Sequence, residues 1–120
     1  MSAALQATGN PNITTLLGLA SAETNPSAIT AAAQVTIPAL MFAGGKDQVA
    51  PPATNVKAMY DALQSSCKNI ITITNASHCG FADNNGVCNA GEGFSCIACT
   101  FIPLATQHSL TYQFMEPWLN

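Results

Sequence analysis

Residues 36–52 read TIPALMFAGGKDQVAPP. The run from Ile37 to Ala43 is apolar without interruption, breaks at Gly44 and Gly45, and puts Asp47 in front of two prolines. Continuous rather than alternating hydrophobicity marks a strand covered on both faces, which is the habit of a parallel sheet between helices. The glycines let the chain turn sharply with no side chains in the way. Pro51 and Pro52 suit the first turn of a following helix, where an unpaired N–H would be wasted. A charge at the tip of a buried strand is costly unless something uses it, so Asp47 is the first candidate functional residue.

The flanking sequence extends this reading. Upstream, residues 13–19 (ITTLLGL) predict a buried strand, and SAETNPSAITAAAQ predicts a loop with a short helical turn beginning near Asn25-Pro26-Ser27. Downstream, ATNVKAMYDALQSS predicts a helix whose buried face is Val56, Met59, Tyr60 and Leu63, spaced i, i+3, i+4 and i+7. Residues 69–74 (NIITIT) predict a third strand. The stretch CGFADNNGVCNAGEGFSCIACTF is too long for an ordinary turn and predicts a loop pinned by disulfides. The close, PLATQHSLTYQFMEPWL, predicts a helix with Leu110, Phe114 and Trp118 on one side, ended or kinked by Pro117. Strands alternating with helices give an α/β fold: a parallel sheet of about three strands flanked by helices, with a disulfide-rich loop before the last helix.

Composition narrows the function. The chain has 120 residues, room for one domain. Its three cations, Lys46, Lys57 and Lys68, and its net charge of −3 leave no basic stripe to neutralise phosphates, so nucleic-acid binding is not expected. No apolar run approaches the roughly 18 residues of a membrane span. Five cysteines, Cys67, Cys79, Cys88, Cys96 and Cys99, favour an oxidising compartment with up to two disulfides and one thiol left over.

In open parallel sheets the working groups sit beyond the carboxyl ends of the strands. Asp47 follows the strand 37–43, and His78 follows the strand 69–74 across Asn75-Ala76-Ser77. If those strands are neighbours, both loops leave the same edge, where a carboxylate can accept Nδ1–H of the imidazole and free the other ring nitrogen to take a proton.

The stretch VTIPALMFAGGKDQVAPP…VKAMYDAL…NIITITNASHCGF resembles the closing half of an α/β-hydrolase. That superfamily carries its acid in a strand-end loop of the form G-x-x-D-x-x-x-P, intact here as GGKDQVAP. Its histidine lies in a later loop of the form G-x-x-H, present here as NASH with Asn75 where glycine is usual. With NITTLLGLASAETNP before and QHSLTYQFMEPWL after, nearly the whole chain is similar to dienelactone-hydrolase-like and cutinase-type polyester-hydrolase-like enzymes. The resemblance implies a serine-type hydrolase of small or polymeric carboxylic esters, with Asp47 as orienting acid, His78 as general base, and no cofactor or metal.

The superfamily's nucleophile sits in G-x-S-x-G upstream of the acid, and no such motif occurs in these residues. Ser95 lies after the histidine without the second glycine, and Ser2 has no flanking glycines. The resemblance places Met1 to Ala7 on the helix that normally follows the nucleophile. Residues 1–120 are therefore expected to be the C-terminal part of a hydrolase domain, inactive alone, from a secreted or periplasmic protein whose signal would lie upstream.

Plainer roles compete for each residue. Asp47 alone would suit a turn or a helix cap, and His78 a surface loop. His108 is expected to face solvent, Glu23 to be a loop residue, and Phe81 to help wall the site. Cys96-x-x-Cys99 fits a structural disulfide better than a redox pair or half a zinc cage. Cys88 with Cys96 or Cys99 would tie the long loop, and Cys67 with Cys79 would clamp the last strand to the histidine loop; spacing does not settle the connectivity. Cys79, adjacent to His78, is not expected to be a nucleophile. The rival from another class is a non-catalytic, disulfide-stapled module that associates through an exposed sheet edge. Thiol–disulfide exchange through Cys96 and Cys99 is a third.

Overall fold

Every residue of the strand Ala39–Gly44 is buried, as its unbroken apolar sequence requires. The computed structural model describes residues 10–120. In chain order its elements are β1 (Leu16–Leu19), α1 (Ala28–Ala32), β2 (Ala39–Gly44), α2 (Val56–Ala62) and β3 (Lys68–Ile73). A 3-10 turn (Cys79–Phe81), α3 (Gly86–Ser95) and α4 (Leu104–Leu119) follow. Ser2 and the rest of the Met1–Ala7 stretch lie outside the described residues.

The three strands form one parallel sheet in the order β1-β2-β3. Leu16 pairs with Ala39 and Leu19 with Phe42 on one side of β2. Ala39 pairs with Lys68 and Gly44 with Ile73 on the other. Side chains alternate across the pleat, so β2 feeds two cores. Ala39, Met41 and Ala43 pack with Ala28 and Ala32 of α1 and Val56, Met59 and Leu63 at α2. Leu40 and Phe42 face the other way, with Ile73, Ala76, Phe81 and, from α4, Leu110, Met115 and Trp118. Phe42 is completely buried, which contributes about 1.5–3 kcal/mol relative to exposure.

Several expectations need correction. The long excursion before the last helix carries the expected disulfides but is not loop throughout: ten of its residues form α3, whose first turn is capped by Asn85 Oδ1 accepting from the amides of Val87 and Cys88. The disulfides are Cys79–Cys88 and Cys96–Cys99. Cys67 is free and exposed rather than joined to Cys79. Pro117 does not end the last helix, which continues to Leu119. Proline forfeits one intrahelical bond there, while Trp118 anchors the final turn in the core and donates Nε1–H to Thr15 Oγ1 at 2.7 Å. Phe114 is 44% exposed, and the most buried positions of α4 are the polar Gln107 and Thr111. No helix among the described residues is long and apolar enough to cross a membrane.

Candidate functional site

The register of β2 with β3 sets the site. Gly44 lies opposite Ile73, so the loop after each strand leaves the sheet at the same height. Gly45 N donates to Ile73 O at 2.9 Å and Lys46 N to Ala76 O at 3.0 Å, which continues the ladder from the strands into the loops. Gly44 must be glycine for a steric reason: a Cβ there would sit 2.9 Å from the carbonyl oxygens of both Ala76 and Ser77. The two loops therefore touch backbone to backbone.

That contact brings Asp47 and His78 together, with Asp47 Oδ2 2.8 Å from His78 Nδ1. Asp47 is 1% exposed. Its other oxygen, Oδ1, accepts from Val49 N at 2.9 Å and Ala50 N at 2.7 Å. The turn role and the histidine-pairing role thus coexist in one carboxylate, one oxygen to each. The carboxylate selects the Nδ1–H tautomer, which leaves Nε2 as the acceptor. The His78 side chain is 25% exposed, so the ring is partly open to solvent.

The amides on either side of His78, and its own, are held by side chains. Asn75 has φ 58°, a left-handed conformation that asparagine tolerates better than other non-glycine residues; this accounts for asparagine where glycine is usual. Beyond it, four consecutive amides each donate to a side-chain oxygen. Ser77 N donates to Gln107 Oε1 at 3.0 Å. His78 N donates to Glu92 Oε1, and Cys79 N to Glu92 Oε2 at 3.2 Å. Gly80 N donates to Ser77 Oγ at 2.9 Å. Gln107 also donates Nε2–H to Ser77 O at 2.9 Å, so its amide pairs with Ser77 much as a neighbouring strand would. Gln107 and Glu92 are 1% and 3% exposed.

Glu92 and Gln107 escape the sequence reading because their partners are distant in the chain. The one available signal is chemical: a lone acid in an uncharged helix, and a glutamine on the core side of an amphipathic one. The partly buried Phe81 packs its ring 6.4 Å from that of Phe42, against the core on that side of β2. His108 is intermediate in burial, with Nε2 donating to Ala82 O at 3.1 Å in an exposed hydrogen bond. Glu23 is a loop residue, its Oε2 accepting from Ile29 N at 2.9 Å. The Ser27 hydroxyl, followed by the amides of Ile29, Ala28 and Thr24, holds the Glu23 carboxyl below the ordinary glutamate range.

A buried carboxylate, an imidazole oriented by it and a free Nε2 at the carboxyl edge of a parallel sheet can accept a proton from a hydroxyl and return it to a leaving group. Among the described residues no side chain hydrogen-bonds His78 Nε2. A family model described as PET hydrolase-like matches residues 3–100. No curated protein sequence matches the chain.

Proposed function

Because the chain belongs to the PET hydrolase-like family, we propose that Asp47 and His78 are the acid and the general base of a serine-type carboxylic ester hydrolase. The observation that carries this reading is the 2.8 Å contact between Asp47 Oδ2 and His78 Nδ1 at the sheet's carboxyl edge. His78 Nε2 takes the proton of a serine hydroxyl as that oxygen attacks the ester carbonyl. It then gives the proton to the departing alkoxide, and repeats the cycle with water to release the acid. Asp47 keeps the imidazole in its tautomer and stabilises the imidazolium. It stays fixed throughout because Oδ1 is tied to the amides of Val49 and Ala50.

The serine and one oxyanion amide belong to a G-x-S-x-G elbow that residues 1–120 do not contain, and the second amide to a separate, earlier strand–helix loop. In this reading they come from a polypeptide segment outside this sequence, and these residues are the closing part of the domain. The substrate is a small or polymeric ester. Two disulfides support work in an oxidising, extracytoplasmic compartment. The rival, a non-catalytic module associating through a sheet edge, gives no reason for a buried acid to meet a half-open histidine.

Hydrolysis of a chromogenic short-chain ester tests the proposal. The 120-residue chain alone is expected to be inactive, and the chain joined to an upstream segment carrying the elbow to turn over. His78→Ala in the joined protein should then lower kcat by about three to six orders of magnitude. Activity that survives the substitution refutes the role of His78.

A further inference from the structure

Helix α3 is turned outward, with Val87 and Phe94 85% and 84% exposed, yet Glu92 is 3% exposed. Burying a carboxylate is costly unless its oxygens are met. No lysine is paired with this one. It receives two consecutive backbone amides instead, those of His78 and Cys79. Two adjacent N–H groups converge on one acceptor group when the chain begins a helical turn, and His78, at φ −63° and ψ −55°, immediately precedes the turn Cys79–Phe81. Glu92 thereby caps that turn and fixes the backbone angles at His78. Those angles set the direction of its Cα–Cβ bond and the pivot of the imidazole.

A second link grips the same place. Cys88 lies one helical turn before Glu92 on α3 and is bonded to Cys79. The disulfide keeps α3 near the turn, but by itself it leaves the amides of His78 and Cys79 without acceptors. We propose that Glu92 is a positioning residue for His78, holding the base in line with Asp47 by accepting both amides. This rests on the reading of Asp47 and His78 as acid and base. The chemistry requires a carboxylate. Glutamine has the same length and volume, but its NH₂ would face one of the two N–H groups, donor against donor.

The test is proton NMR of the 120-residue chain. The Nδ1–H of His78, shared with Asp47, should give a resonance far downfield of the backbone amides, and Asp47→Asn should remove it. Glu92→Gln should also remove it or exchange-broaden it, while the amide resonances of β2 stay in place. A resonance that needs Asp47 but is unchanged in Glu92→Gln overturns the role of Glu92 and leaves the acid–base pair standing. A wild-type spectrum with no Asp47-dependent resonance overturns the pair, and this inference with it. If Glu92→Gln does not fold, amide exchange in the wild type decides. His78 and Cys79 amides that exchange far more slowly than that of the exposed Asn84 support the proposal, and equal rates overturn it.

Discussion

Gln107→Leu isolates what a single side chain contributes to the histidine loop. The substitution keeps the volume and burial of the site but strands two groups of Ser77, its N–H and its C=O, which now meet Gln107 Oε1 at 3.0 Å and Nε2 at 2.9 Å. Each stranded buried group costs about 1–3 kcal/mol, so the pair costs about 2–6 kcal/mol. Against a total stability of about 5–15 kcal/mol, that is a large loss. Urea unfolding followed by the fluorescence of Trp118, the one tryptophan, should show a lower midpoint at unchanged slope. Gln107→Glu is the sharper companion. Its protonated form still accepts from Ser77 N and donates to Ser77 O, whereas its ionised form sets an anionic oxygen against that carbonyl in a buried site. The introduced carboxyl therefore has a folded-state pKa above its unfolded value of about 4.3. The folded state binds the extra proton, so stability near wild type is present below that unfolded value and falls as pH rises through the folded one. A Gln107→Leu loss under about 1 kcal/mol would show that Ser77 finds other partners. A Gln107→Glu variant whose deficit did not grow with pH would equally refute the pairing.

Gly44→Ala places a methyl 2.9 Å from two carbonyl oxygens that belong to backbone and cannot swing aside. It should cost about 1–3 kcal/mol in the same urea assay and shift the His78 ring resonances as the two loops part; unmoved ring resonances would count against the loops acting as one unit. Glu23 has its folded-state pKa depressed by the Ser27 hydroxyl and the amides of Ile29, Ala28 and Thr24, so its contribution is present above its unfolded pKa and fades as pH falls through the folded value. Glu23→Gln should flatten the decline of the unfolding midpoint in that acid window, and an unchanged pH profile would contradict the assignment.

What the sequence makes legible is what local pattern controls. The continuous apolar run of β2 marks it as the central strand, and Val56, Met59 and Leu63 at helical spacing do bury the face of α2. Asp47 and His78 stand out because each is a polar residue just past a strand. Strand ends are less certain: β1 begins at Leu16 rather than Ile13, since pairing starts only where Leu16 N reaches Pro38 O. The helix predicted from Pro51 opens instead at Val56, after a turn. Helix α3 is illegible by propensity because Gly86, Gly91 and Gly93 all disfavour it. Asn85 at its start, the Cys79–Cys88 bond and the amides of His78 and Cys79 bonded to Glu92 stabilise it, and the latter two are tertiary. Gln107 is hidden for a related reason. A hydrophobic stripe identifies Leu110 and Trp118, but a buried amide matched to Ser77, 30 residues earlier, has no periodicity to reveal it.

The sequence has six acidic residues, and the two that are buried, Asp47 and Glu92, both end on His78. One meets the ring and the other the backbone that carries it. In the proposed role, a base that collects a proton from one partner and delivers it to another needs both constraints, because fixing the ring's tautomer is useless if its pivot wanders. Neither carboxylate is balanced by a lysine. Lys57 pairs with Asp61 at the surface, and Lys68 is used by the carbonyls of Tyr60 and Leu63. Backbone amides meet three of the four buried oxygens, the fourth being the one that faces the His78 ring, and they do so without a full positive charge. In the proposed proton transfer, a lysine in their place would repel the charge that develops on the imidazole, by about 4 kcal/mol at 4 Å in a medium of effective dielectric 20. Amide dipoles fix the geometry with a far smaller penalty on that step, which is a physical reason for a charge-poor chain to place two of its acids against one histidine.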